Sequence, residues 1–214
     1  MPTYDALFNA FVTLLVTIDP IGNAPLFLSL TVGLDAARRR GIAVRGACIA
    51  FAILTLFALS GTAVLDAMGI TIDAFRVAGG LLLFFTAFEM IYARRQERRE
   101  KTTDEALNDN ASDIAVFPLA IPLLAGPGTI SATILLSSEL SSPPEVAAWT
   151  GTLVLIGLIL ALLTLAVVVM IAAEALDKHL GRTGKSVLTR LLGVLLAALS
   201  VQYVADGVRA LASA

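Results

Sequence analysis

Long apolar runs alternate with short polar stretches from one end of the chain to the other. The runs cover residues 6–34, 47–65, 74–92, 114–138, 146–173 and 187–211. Each has the length of a membrane-spanning helix, for which about 20 residues suffice. Residues 146–173 contain no charged side chain at all. The longest polar stretch, residues 94–113, holds Arg94, Arg95, Arg98, Arg99 and Lys101 followed by an acidic tail, which is the composition of an exposed linker. It separates residues 1–93 from residues 114–214 and leaves three spans in each part. The pattern predicts an all-α, polytopic protein with six transmembrane helices.

Two of the runs are interrupted in their interior. Residues 18–30 contain Asp19, Pro20, Gly22, Asn23 and Pro25, and residues 121–133 contain Pro122, Gly126, Pro127, Gly128, Thr129 and Ser131. Pro20 and Pro25 have the same separation as Pro122 and Pro127. Backbone that leaves a helix at membrane depth is tolerated only where protein or a wet cavity surrounds it. The first helix of each half is therefore expected to be discontinuous, and the two breaks are the candidate functional site.

Internal similarity extends beyond the breaks. Phe75-Arg76-Val77-Ala78-Gly79-Gly80-Leu81-Leu82 aligns with Thr189-Arg190-Leu191-Leu192-Gly193-Val194-Leu195-Leu196 in the third span of each half. An odd number of spans per half makes the halves enter the membrane from opposite sides, as an inverted repeat. Charge gives the orientation. With both termini outside, the cytoplasmic loops hold 12 of the 15 basic residues, all but Arg76, Arg190 and Arg209, in accord with the positive-inside rule. Re-entrant hairpins at the two breaks are the alternative topology. They would put Lys178, Arg182 and Lys185 outside.

Composition confirms the class and removes others. Hydrophobic residues make up 57% and charged residues 15%, with a mean hydropathy of +0.87, beyond the apolar share of soluble domains. The net charge of −2 and the dispersed basic residues give no nucleic-acid surface. The single cysteine, Cys48, excludes an intrachain disulfide and is expected to be a small buried hydrophobe. No basic residue precedes the first run, so that run is expected to be a retained span rather than a cleaved leader. An intramembrane enzyme would need a cluster of His, Cys or carboxylates. His179 falls in a basic loop and Cys48 is alone, so no enzyme and no cofactor is expected. Gly126-Pro127-Gly128 lacks the Gly-Lys-Ser/Thr of a phosphate loop.

Helix ends at the breaks supply the chemistry. A helix that ends inside the membrane presents free carbonyls, and one that begins there presents free amides and a positive dipole end. Pro25 and Pro127 fit the first turn of new helices, with Asn23 and Gly126 or Thr129 as caps. Two facing sets of amides suit a carboxylate, while the carbonyls near Ile18 and the acid of Asp19 suit an ammonium or a coupling H+ or Na+. A zwitterionic amino acid has both groups. Packing kinks alone are the plain alternative. Asp19 weighs against it, because a carboxylate deep in a bilayer costs at least ~2.5 kcal/mol and marks polar pathways.

The remaining polar residues are secondary. Arg76 and Arg190 match in the repeat and are candidates for pairing with acids or gating, and Gln202 is a candidate for coupling. Asp66, Glu89, Glu174 and Asp206 lie near span ends, where interfacial solvation is expected. Tyr4, Tyr92, Trp149 and Tyr203 read as interfacial anchors.

Three stretches carry a family resemblance: Asp19-Pro20-Ile21-Gly22-Asn23-Ala24-Pro25, Ala125-Gly126-Pro127-Gly128-Thr129-Ile130 and Val201-Gln202-Tyr203-Val204-Ala205-Asp206-Gly207. Together they resemble the MarC family, over nearly the whole chain. The resemblance implies a six-span protein of the bacterial inner membrane, grouped with small neutral amino acid transporters, with glycine, alanine or similar substrates. It makes Asp19, Pro20, Gly22, Asn23, Pro25, Gly126, Pro127, Gly128 and Thr129 the shared core. The resulting expectation is a secondary transporter working by alternating access, with the bilayer and a small molecule as partners and a homo-oligomer left open. A translocator of another small or lipid-linked anion, or a membrane regulatory protein without flux, are the alternatives.

Overall fold

The computed structural model describes residues 3–108, 113–141 and 148–213. Among them every regular element is helical: α1 (Tyr4–Ile18), α2 (Pro20–Leu30), α3 (Ala36–Ala67), α4 (Ile72–Ile91), α5 (Arg94–Asn108), an irregular segment Ala115–Leu124, α6 (Pro127–Ser141), α7 (Ala148–Ile171) and α8 (Ala173–Ser213). Helix starts fall where the sequence supplies caps. Thr3, Asp35 and Thr71 accept the amides of Ala6, Arg38 and Ala74, each satisfying a donor that the helix itself leaves free.

Five segments are long and apolar enough to cross a membrane: α1 with α2 as one broken helix, α3, α4, α7, and residues 183–213 of α8. Segment Ala115–Leu124 and α6 make a sixth when taken together, bent by 57°. The irregularity of segment Ala115–Leu124 itself has a local cause. Phe117 and Ile121 adopt extended backbone (φ −130°, ψ 125° and φ −124°, ψ 123°), and each precedes a proline, whose ring excludes the helical conformation from the residue before it. Phe84, Phe85 and Phe88 of α4 and Leu153 and Leu160 of α7 stand exposed on the outside of the bundle, as lipid-facing side chains do.

Glycines set the closest helix contact. α4 runs antiparallel along α8, with Gly80 against Ser200, Tyr203 and Val204, and Gly193 against Ala87, Met90 and Ile91. A Cβ added at Gly80 would stand 2.9 Å from Val204 and 3.0 Å from the Ser200 carbonyl, so any larger residue would separate the helices. One apolar core joins α1, α2, α3, segment Ala115–Leu124, α6 and α7 through Leu14, Phe27, Leu54, Leu123 and Leu163. A second, smaller one lies between α1, α4, α6 and α8 around Val16, Leu83 and Leu196.

Several sequence expectations change. The stretch read as an exposed linker forms α5 up to Asn108, and it is tucked into the bundle against α2, α4 and segment Ala115–Leu124. Arg95, Arg99 and Thr103, spaced four apart, make its buried face, at 7%, 6% and 2% exposure. Ala93, in the left-handed conformation at φ 61°, makes the tight turn that folds α5 back. Residues 109–112, with the end of that stretch, lie outside the described residues, as do Pro143 and Pro144 of the following loop. Residues 174–185, read as a loop, are helical backbone on either side of Gly181, which itself leaves the helix (φ 58°, ψ −179°) and bends α8 there. Cys48 is exposed on α3 rather than buried, and Asp66 is exposed as expected. Tyr4, Tyr92 and Trp149 are exposed, but Tyr203 is buried and donates to Glu139 Oε2 at 3.4 Å.

Candidate functional site

The first break occupies a single residue. Asp19 sits in the left-handed conformation (φ 54°, ψ 64°), ending α1 and starting α2 at once. Its backbone amide reaches back to the Leu15 carbonyl, and its side chain accepts the Gly22 amide at 3.0 Å. The new helix therefore begins at Pro20, where a missing amide costs nothing. Pro25 lies inside α2, which corrects its assignment as a helix start. Asn23 is not a cap either. A Cβ at Gly22 would fall on the Asp19 carboxylate, so the glycine leaves room for the cap itself.

The second break spans more residues. Extended backbone at Ile121 is followed by Ala125 and Gly126, and α6 starts at Pro127. Gly126 provides the carbonyl that accepts the first turn's Ile130 amide at 3.0 Å. Pro127 thus holds the position that the sequence assigned to it, and the structural counterpart of Pro127 at the first break is Pro20.

The two breaks meet. Asn23 Nδ2 donates to the Ile18 carbonyl at 2.8 Å and to the Leu123 carbonyl at 3.4 Å, tying the end of α1 to the end of segment Ala115–Leu124. Arg99 completes the junction from α5: Nη1 donates to Asp19 Oδ2 at 3.0 Å, and Nη2 to the Leu123 carbonyl at 3.4 Å. Arg95 caps the other free carbonyls of α1, donating to Val16 at 3.3 Å and Thr17 at 2.7 Å, with its Nη1 4.0 Å from Asp19. A cation at a helix C-terminus is favoured by the helix dipole as well as by its hydrogen bonds.

The carbonyls and carboxylate expected to face a cation are therefore occupied by the chain's own guanidiniums. Burial and then the adjacent Arg99 lower the pKa of Arg95 to about 9, while Asp19 acts in the opposite sense. Beside them Arg98 lies 3.0 Å from Glu89. Glu89 is 6% exposed, which corrects its placement at a solvated span end. The contact is an ion pair by distance, without the direction of a hydrogen bond. Three basic residues of α5 thus converge on two buried acids.

Cavities flank this cluster. One of about 600 Å³ opens beside the first break, lined among others by Asp19, Gly22, Pro25, Glu89, Arg95 and Thr189. A smaller one of about 270 Å³ lies at the second break, lined by Thr86, Arg95, Arg98, Arg99, Thr102 and residues 122–123 and 126–129. Gly126, Pro127, Gly128 and Thr129 are all in its wall. Ser131 packs beside Gly79 and lines neither cavity. Arg76 pairs with Asp73 on its own helix at 3.0 Å, Arg190 is exposed on α8, and Gln202 donates to Asp206, also at 2.9 Å on its own helix. The structure does not bring these last three to the breaks. Arg95 and Arg99 are what the sequence reading missed. Their four-residue spacing with Thr103 was the available signal, hidden by the strong polarity of the segment.

The sequence matches the family described as MarC family integral membrane protein over residues 4–212. Among its relatives, the UPF0056 membrane protein YvbG of Bacillus subtilis is 35% identical over 207 residues, covering 96% of this chain and 95% of its own. A UPF0056 membrane protein of Aquifex aeolicus is 35% identical over 210 residues, covering 98% and 95%. No solved structure matches the chain. A match over nearly every residue, joined to a bundle whose broken helices carry the motifs at its centre, establishes that the chain belongs to the MarC family of integral membrane proteins.

Proposed function

We propose that the protein is a secondary transporter of a small neutral amino acid such as glycine or alanine, acting by alternating access and coupled to H+ or Na+. The observation that carries this proposal is the meeting of two helix breaks at one buried charged cluster with room on both sides. Charged residues are placed inside a membrane protein at a cost that a polar pathway justifies. The larger cavity offers acids, two basic residues and hydroxyls around a space with ample room for a small zwitterion. Asn23 Oδ1 is buried without a donor among the described residues, an acceptor ready for an ammonium or a coupling cation.

Asp19, Pro20, Gly22, Asn23 and Pro25 on one side, and Gly126, Pro127, Gly128 and Thr129 on the other, form the substrate site. Withdrawal of Arg99 from Asp19 is the step that frees the carboxylate for the coupling ion. Two inverted three-helix halves suit such a cycle. They are supported by the reciprocal contacts in which Gly80 meets residues 200–204 and Gly193 meets residues 87–91. The protein resides in the bacterial inner membrane with both termini on the periplasmic side.

Reconstituted into liposomes, the protein takes up labelled glycine or alanine only under an imposed H+ or Na+ gradient, and Asp19→Asn abolishes the ion dependence. Absence of gradient-driven uptake of any small neutral amino acid sinks the proposal. A cysteine replacing Thr3 is labelled from the periplasmic face of intact cells. Protection there reverses the orientation.

A further inference from the structure

We infer that the smaller cavity, at the second break, is a binding site for a compact oxyanion, a carboxylate or a phosphate, held by the guanidiniums of α5. Three arginines line it, and among the described residues no aspartate or glutamate does. The larger cavity differs in kind, since Asp19, Glu89 and Glu100 all border it. Arg95 and Arg99 are buried, and the acids that neutralise the group, Asp19 and Glu89, leave one of the three guanidinium charges without a carboxylate. An uncompensated positive charge in the interior is costly, and an anion in the adjoining space removes that cost.

The donors suit an oxyanion. Guanidinium groups bind carboxylate and phosphate through paired, charge-assisted hydrogen bonds. α6 begins in the same wall, so the amides of Gly128 and Thr129, in its first turn, have no partner within the helix and add the positive end of its dipole. A Cβ at Gly128 would reach within 3.1 Å of Thr86 Oγ1, so the glycine keeps that corner of the cavity clear. Buried Thr129 completes the polar lining, while the hydroxyls of Thr86 and Thr102 donate to the Leu82 and Arg98 carbonyls of their own helices. The lowered pKa of Arg95 has the same origin, burial beside a second guanidinium. Gly126, Pro127, Gly128 and Thr129 also belong to the proposed substrate site, so the inference specifies what that half of it holds, and binding is measured without flux.

The test uses the purified full chain in detergent, at constant ionic strength with chloride as the reference anion. Thermal unfolding is followed while sodium acetate, inorganic phosphate or alanine is titrated in turn. A saturable rise in Tm with acetate and alanine assigns the site to carboxylates, and a rise with phosphate alone assigns it to phosphates. Either supports an oxyanion site. Arg98→Lys, which keeps a positive charge beside buried Glu89 but removes the paired guanidinium donors, weakens the apparent affinity by about tenfold, the loss of one charge-assisted contact. Asp19→Asn removes an internal competitor for the guanidiniums and tightens it severalfold. No rise above chloride with any of the three, or affinities that neither substitution moves, overturns the inference.

Discussion

The two breaks look alike in sequence and differ in how they are closed. At the first, the end of α1 is tied by side chains. The carbonyls of Val16, Thr17 and Ile18 accept Arg95 and Asn23 side chains, and Asp19 is held by the Gly22 amide and Arg99. At the second, three prolines and extended backbone open the chain over several residues, and α6 begins against a cavity lined by arginines. Equal proline spacing did not produce equal structure, because proline breaks a helix without saying what fills the gap. A side chain that can serve as cap and ion-pair partner at once, Asp19, compresses the first break into one residue. The second has Gly126 at the corresponding place, with no side chain to cap the helix, and stays wide.

The difference predicts that substitutions at the first break act on stability and those at the second act on ligand binding. The largest effect is expected for Arg99→Ala. It leaves Asp19, whose side chain is 4% exposed, as a buried charge with a distant partner, and such losses cost about 3–5 kcal/mol; denaturant titration in detergent measures it. Asn23→Ala comes next. It removes the link between Ile18 and Leu123 and should cost about 2 kcal/mol, since two buried carbonyls lose a donor. At the second break, Thr129→Val should change stability by less than about 1 kcal/mol while weakening oxyanion binding in the same titration that probes Arg98. A loss of stability there equal to that of Asn23→Ala would erase the distinction between the breaks. The smallest effect belongs to Arg209→Ala at the exposed pair with Asp206, about 0.5 kcal/mol or less, which serves as a reference for surface charge.

Legibility in the sequence followed the physics of each feature. Apolar length is a local property, so all six runs emerge as helical segments, and the breaks emerge because Asp19, Pro20, Pro122 and Pro127 contradict their surroundings. The identity of the first helix start was local but ambiguous. Pro20 and Pro25 are both compatible with a first turn, and only the Asp19 side chain, by capping Gly22, decides between them. The role of α5 was further from view. Its average polarity describes a solvated segment, yet burial is decided residue by residue, and a face of Arg95, Arg99 and Thr103 can enter the bundle once Asp19 and the α1 carbonyls offer partners about 80 positions earlier in the chain. Tyr203 shows the same limit, joined to Glu139 across 64 residues where it read as an interfacial anchor.

The central claim is that α5 locks the junction of the two breaks through Arg99 and Asp19. A double-mutant cycle tests it most directly, with Asp19→Asn, Arg99→Gln and the pair compared by reversible unfolding in detergent. The account predicts a coupling of at least about 2 kcal/mol, with the double substitution less harmful than the sum of the two, as for groups in one buried network. Additivity within about 0.5 kcal/mol would mean that the two side chains do not act on each other, and that the junction is held by packing alone.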